Sequence, residues 1–164
     1  MKKSSIFILF LLSVYFAQSQ DISGEWTGTL YQEAGGVRYE YSFEMNLQQV
    51  GNKITGTSEI RFLDNKNVYG KMKLSGKLIK KSFIFEESEI LKENFDGQTM
   101  SWCIKRGTLY YSQGSEMAVL QGDWTGTIGR GTCSPGTITL QRKINQNKLG
   151  KSGKKLKEAA RGNN

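Results

Sequence analysis

The sequence predicts an all-β fold, an eight-stranded antiparallel up-and-down β-barrel that lies between a cleaved signal peptide and a basic C-terminal tail. Apolar residues alternate with polar ones over most of residues 20–143, which is the period of a β-strand. Short turns rich in Gly, Asn, Asp and Ser separate these segments. The phrase GEWTGTL near the start of this region returns as GDWTGTI near its end, which indicates two strands with equivalent places in the fold.

Residues 1–19 have the layout of a secretory signal peptide. Two lysines begin it, residues 6–16 are apolar, and Ala-Gln-Ser at 17–19 forms a small-x-small cleavage site. The apolar stretch is shorter than the ~20 residues that a membrane-spanning helix needs. No Cys follows it to carry a lipid. We therefore expect an exported protein, periplasmic or secreted, whose mature chain begins at Gln20 and does not span a membrane.

Eight alternating segments follow one another, each long enough to form a strand. We predict strands at residues 24–32, 37–50, 53–62, 67–80, 82–93, 99–112, 116–128 and 136–143. Antiparallel strands with one apolar face must bury that face, and closure into a barrel does so while it removes exposed edges. A two-sheet β-sandwich is the main alternative. An outer-membrane barrel is another, but it would point its apolar residues outward and end on its last strand.

The hairpin at residues 37–62 has the most regular pattern. Apolar side chains occupy every second position of its first half, with polar side chains between them. A Gly-Asn pair at its centre is a two-residue turn signal, because both residues tolerate a positive φ. Pairing Val50 with Lys53 across this turn sets Tyr41 opposite Phe62 and keeps the two apolar faces in register.

The repeated phrase alternates large and small residues on one strand face. Trp26 is followed two positions later by Gly28, and Trp124 is followed in the same way by Gly126. This alternation suits a tapered barrel interior, in which a Trp closes one end and a Gly admits a neighbouring strand.

With Gly24-Glu25-Trp26 the sequence resembles the lipocalin and calycin group, whose first strand carries Gly-x-Trp. In that group an Arg of the last strand packs on the Trp, so the resemblance implies that Arg142 stacks on Trp26 as a cation–π pair. Residues 22–143 also resemble a small calycin-like β domain of exported Bacteroidota proteins, through phrases such as NLQQVGNKITGTSEI and WCIKRGTLYYS. This resemblance implies the fold and an exported location, and it implies no particular activity.

Two cysteines, Cys103 and Cys133, are available for a single intramolecular disulfide. Exported proteins mature in an oxidising compartment, so we expect the bond to form; two free thiols are the alternative. Closing this loop should stabilise the fold by about 3–4 kcal/mol. The chain has no His and no Cys-x-x-Cys, so we expect no metal site and no cofactor.

The lack of histidine also removes the Ser-His-Asp and Cys-His relays, so we expect no enzymatic activity and no catalytic residues. A carboxylate-based hydrolase is the alternative. Glu87 and Glu89 lie two residues apart on one predicted strand, which allows the carboxyl separation of roughly 5–9.5 Å that glycosidases use.

The same two carboxylates fall on the predicted inner face of their strand. If Leu91 pairs with Trp102 on the next strand, Glu87 lies beside Arg106, and a buried carboxylate needs such a partner. This pair would either orient a polar group of a ligand or serve the structure alone. A β-bulge that turns both Glu87 and Glu89 outward is a further alternative.

These patterns predict a binding module that holds a small, partly apolar or amphipathic molecule in the barrel mouth. The candidate ligand-binding residues are Tyr39, Tyr41, Glu87, Trp102 and Arg106. Trp26, Trp124 and Arg142 are candidate structural residues. The alternative function is a structural or protein-interaction domain of the cell envelope, with a barrel filled by its own side chains.

Basic residues are concentrated at the C-terminus. The chain carries a net charge of +8, and eight basic residues stand against one acidic residue from Arg142 onward, which leaves the predicted barrel close to neutral. We expect residues 144–164 to form a solvated, flexible tail. It would attract anionic envelope surfaces rather than a specific nucleic acid, and a plain linker is the alternative.

Overall fold

The computed structural model describes residues 20–144, which form a closed barrel of eight antiparallel strands in sequence order. The strands are β1 (Gly24–Ala34), β2 (Val37–Val50), β3 (Lys53–Phe62), β4 (Tyr69–Ile79), β5 (Ser82–Asn94), β6 (Ile104–Gln113), β7 (Met117–Ile128) and β8 (Gly131–Lys143). Pairing of β1 with β8 closes the barrel. The predicted up-and-down barrel is confirmed, and the β-sandwich alternative is wrong. The predicted signal peptide and residues 145–164 of the predicted tail lie outside the described residues.

The β2–β3 hairpin has the predicted register. Val50 lies opposite Lys53, and Tyr41 lies opposite Phe62 at the far end. The alternating apolar positions point into the barrel, where Phe43 and the apolar residues that follow it at every second position are buried. Residues 20–144 contain no helix that would cross a bilayer.

One end of the barrel is closed by Trp26. Its side chain is fully buried, and its indole Nε1 donates a hydrogen bond to the Ile22 carbonyl oxygen at 2.9 Å. The Arg142 guanidinium lies 4.5 Å from the centre of the Trp26 ring, so the predicted cation–π pair is confirmed. Arg142 also donates to the carbonyl oxygens of Ser23 and Asp21. The last strand is thereby fastened to the segment that precedes the first.

The glycines of the repeated phrase allow neighbouring strands to approach closely. A Cβ on Gly28 would lie 2.1 Å from the Thr139 carbonyl oxygen, and one on Gly126 would lie 2.9 Å from that of Ile104. Only 2% of the surface of Trp124 is exposed. The two glycines therefore have the same role on β1 and β7, but the two Trp residues do not: Trp124 lies level with Gln32 near the end of β1, whereas Trp26 lies near its start. The predicted equivalence of the two copies holds for their glycines and is wrong for their Trp residues.

The sixth strand begins later than predicted. Residues 95–103 form a loop in place of the expected strand start, and Asp96 and Gly97 have left-handed backbone angles, with φ of 51° and 80°. Pairing of β5 with β6 ends where Glu86 faces Arg106. The register is thus one residue away from the predicted one, which had placed Glu87 opposite Arg106.

The predicted disulfide joins Cys103, at the end of this loop, to Cys133 on β8, with an S–S distance of 2.06 Å. It is confirmed, and it holds the end of the loop against the last strand.

A β-bulge separates the two glutamates of β5. Leu74 of β4 pairs with Glu87 and Lys73 pairs with Glu89, which leaves residue 88 without an opposite residue. The extra residue reverses the alternation of side chains along β5. Glu87 therefore points inward as predicted, whereas the Glu89 side chain is 61% exposed and lies near Lys73. The prediction of two inward carboxylates is wrong for Glu89.

Candidate functional site

A cavity of about 200 Å³ lies at the open end of the barrel, opposite the end that Trp26 closes. Most of its wall is apolar or aromatic, and a few polar groups reach it. Its wall includes Gln32, Tyr41, Ile60, Trp102, Lys105 and Trp124. Below it the barrel is filled by its own side chains, among them Met72, Leu74, Phe83 and Phe85.

The loop at residues 95–103 supplies one wall of the cavity through Trp102. The Trp102 side chain is only 6% exposed and stacks on Phe95, with ring centres 5.8 Å apart and planes 21° from parallel. Phe62 meets it at a steep angle, 6.0 Å away. A Cβ on Gly70 would lie 2.7 Å from the Trp102 ring, so the ring fits only because β4 has a glycine there.

A buried ion pair borders the cavity from below. Lys105 Nζ lies 2.9 Å from Glu87 Oε2, and the two side chains are 1% and 0% exposed. The same Glu87 oxygen accepts a hydrogen bond from the Lys105 backbone N–H at 2.8 Å. The other Glu87 oxygen accepts one from the Ser58 hydroxyl. Glu87 therefore replaces the backbone of β5 as the partner of β6 at the point where the two strands part.

The Lys105 ammonium has a second partner. Nζ donates to the Cys103 carbonyl oxygen at 3.0 Å, and the Phe43 ring centre lies 5.6 Å away. An ammonium has three N–H groups, so the bonds to Glu87 and to the Cys103 carbonyl oxygen leave one N–H without a hydrogen-bond acceptor. Among the residues that line the cavity, Lys105 is the one that carries a charge.

Trp102, which lines the cavity, carries a second candidate donor. Its indole Nε1 lies against Gly70 of β4, is buried and has no hydrogen-bond partner among the residues that the structure describes. The other two Trp indoles differ, since Trp26 donates to Ile22 and Trp124 donates to the Tyr31 carbonyl oxygen at 3.0 Å. A buried N–H without a partner is costly, which makes this group a candidate for bonding to a ligand.

Tyr41 lies in the cavity wall as predicted, and Tyr39 lies outside it. The Tyr41 ring meets Phe62 edge to face at 5.3 Å. Burial raises the pKa of the Tyr41 phenol above its ordinary value of 10.0, and the nearby Tyr39 phenol raises this pKa further. Tyr39 is 47% exposed and is not among the residues that line the cavity.

Arg106 does not contribute to the site. It is exposed and faces Glu86 across the sheet, so the predicted Glu87–Arg106 pair is wrong and Lys105 is the partner. Sequence reasoning missed Lys105. Lys105 is separated from Leu109 and Tyr111 by even numbers of positions, so the three side chains share one face of β6. Because Leu109 and Tyr111 are apolar and buried, this spacing was the signal that would have placed Lys105 on the inner face.

The sequence matches no protein-family model and no curated protein. In the stretch from residue 20 to residue 144, no cluster of three or more His, Cys, Asp or Glu side chains would hold a metal ion. What the geometry offers is a small cavity whose wall combines aromatic and aliphatic side chains with hydrogen-bond donors. Such an arrangement can hold and orient a molecule.

Proposed function

We propose that the protein is an exported binding module that holds a small, partly apolar molecule in the mouth of its barrel. The observation that carries this proposal is the cavity of about 200 Å³ that remains above an otherwise filled interior. Pockets that bind small molecules are mostly apolar with a few placed polar groups, as here. The Cys103–Cys133 disulfide supports export, because such bonds persist in oxidising compartments.

The size of the cavity limits the ligand. It is somewhat larger than the roughly 150 Å³ apolar cavity that accepts benzene, and smaller than the ~300–1,000 Å³ of pockets for drug-sized molecules. The ligand is therefore about the size of one substituted ring, or it is a longer molecule that inserts only one end.

We propose binding without catalysis. Glu87 is engaged by Lys105 and Ser58, so its carboxylate is committed to structure. Glu89 points to the outside, so the two carboxylates do not face one another across a shared space. The glycosidase arrangement that the sequence suggested therefore has no support in the geometry.

One observation favours the alternative function, an interaction domain of the envelope. An open groove of about 510 Å³ runs over the outside of β4, β5 and β6, between Lys77, Glu86 and Arg106. Ile84 lies in it and is 46% exposed. A protein surface with apolar and charged groups side by side suits a protein partner.

Native mass spectrometry of the mature chain, purified after export, tests the first proposal. We expect an added mass of one small molecule that is lost on denaturation. Ile60→Phe, which fills the cavity from its wall, should abolish the added mass, and Ile84→Phe in the outer groove should retain it. A bare mass in every variant, together with no uptake of small aromatic molecules, would favour the interaction domain.

A further inference from the structure

We infer that the ligand is a neutral molecule that carries a carbonyl-type hydrogen-bond acceptor on an apolar body about the size of one ring. The Lys105 ammonium and the Trp102 indole N–H donate to that acceptor. This inference rests on the proposed function, since it names the class of ligand that the mouth cavity selects.

The donors determine which polar group the ligand carries. Lys105 has one N–H beyond its bonds to Glu87 and Cys103, and Trp102 has its single N–H without a partner in residues 20–144. Both residues line the same cavity, and both are more than nine-tenths buried. A carbonyl oxygen has two lone pairs and accepts two hydrogen bonds, so one such atom can satisfy both donors.

The charge of the site determines that the ligand is neutral. Lys105 is already compensated by Glu87 at 2.9 Å, so the buried pair has no net charge. A ligand carboxylate would bring a second negative charge into the same buried region as Glu87, and burying an uncompensated charge is costly. A neutral carbonyl gains the two hydrogen bonds without that cost.

The walls of the cavity determine the rest of the molecule. Ile60, Tyr41 and the rings of Trp102 and Trp124 surround the space with apolar surface. A hydrocarbon of the same size would gain this contact but would leave the buried Trp102 N–H unpaired. The site should therefore discriminate between molecules of equal size according to whether they have an acceptor.

Calorimetric titration with three single-ring probes tests the inference. Acetophenone has the carbonyl, ethylbenzene has the same size without it, and benzoate has a charged carboxylate. We expect acetophenone to bind about tenfold more tightly than ethylbenzene, which corresponds to one or two net hydrogen bonds, and benzoate to bind least well. Equal binding of ethylbenzene and acetophenone, or tightest binding of benzoate, would overturn the inference and leave the proposed function standing. Binding of none of the three would count against both.

Two Trp variants assign the donor. Trp102→Phe removes the unpaired N–H and retains an aromatic wall, so it should reduce the preference for acetophenone over ethylbenzene by about threefold or more. Trp26→Phe is the matched control, because Trp26 does not line the cavity and its N–H already bonds to Ile22, and it should leave the preference unchanged. Since both probes meet the same altered cavity, a change in its volume cancels in the ratio. An unchanged ratio in Trp102→Phe would show that Trp102 is not a donor.

Discussion

The Lys105 ammonium and the Glu87 carboxylate lie 2.9 Å apart inside the barrel, and neither side chain reaches solvent. Removal of one partner leaves the other charge buried and uncompensated, which typically costs about 3–5 kcal/mol. We therefore expect Glu87→Gln and Lys105→Met each to lower the free energy of unfolding by this amount. The double variant should lose much less than the sum, because no lone charge remains. Urea unfolding of the wild type, the two single variants and the double variant measures the coupling energy between Glu87 and Lys105. If the losses of the two single variants add up to that of the double variant, the two residues are not coupled.

The contact between Arg142 and Trp26 should contribute to stability at the closed end. Arg142→Met removes a cation–π contact at 4.5 Å and two hydrogen bonds to backbone carbonyls, so we expect a loss of about 2 kcal/mol in the free energy of unfolding. Lys143→Met, at the next and exposed position of β8, is the control and should change this free energy by about 0.5 kcal/mol or less. Equal losses in the two variants would show that the fastening of β8 contributes nothing.

Gly28, in the first copy of the repeated phrase, is required because β1 and β8 lie close together at this position. Gly28→Ala places a methyl group 2.1 Å from the Thr139 carbonyl oxygen, so β1 and β8 must move apart. Overpacking of this kind costs about 1–3 kcal/mol, which thermal unfolding detects. Gly131→Ala is the control, because its nearest neighbour would be 3.5 Å away, an ordinary contact. If the two variants melt at the same temperature, the close approach of β1 and β8 does not require a glycine at position 28.

Tyr41 should make stability depend on alkaline pH. Burial raises the pKa of its phenol in the folded protein, whereas in the unfolded chain the phenol ionises at its ordinary value of 10.0. Above that pH the unfolded chain releases the proton first, so the free energy of unfolding falls as the pH rises through 10 and beyond. Tyr41→Phe should weaken this fall between pH 8 and pH 11, measured by urea unfolding. Tyr110→Phe, at a side chain that is 62% exposed, should follow the wild-type curve.

Local signals were sufficient to predict much of the fold. The Gly-Asn turn determined the register of the β2–β3 hairpin, because a two-residue loop fixes which residues face one another. The repeated Trp-x-Gly pattern located β1 and β7, and the resemblance to lipocalins implied the contact between Arg142 and Trp26. Each of these predictions depended on a short segment or on a pair of complementary side chains.

The site was predicted less well because it depends on two irregular features. The bulge at residue 88 turns Glu89 outward, and no local residue type marks it clearly. The loop at residues 95–103 shifts the β5–β6 register by one residue, which replaces Arg106 with Lys105 as the partner of Glu87. Asp96 and Gly97 were the turn signal for that loop. The unpaired state of the Trp102 N–H follows from packing in three dimensions, which a sequence pattern does not contain.

The most direct test of the mouth cavity as the binding site uses the indole N–H signals of the three Trp residues in ¹⁵N-resolved NMR spectra. Trp102 lines the cavity with its N–H unpaired, whereas Trp26 lies at the closed end with its N–H bonded to Ile22. Titration with acetophenone should shift the Trp102 signal and leave the Trp26 signal in place. A titration that moves neither signal, or moves both equally, would contradict binding in the mouth of the barrel.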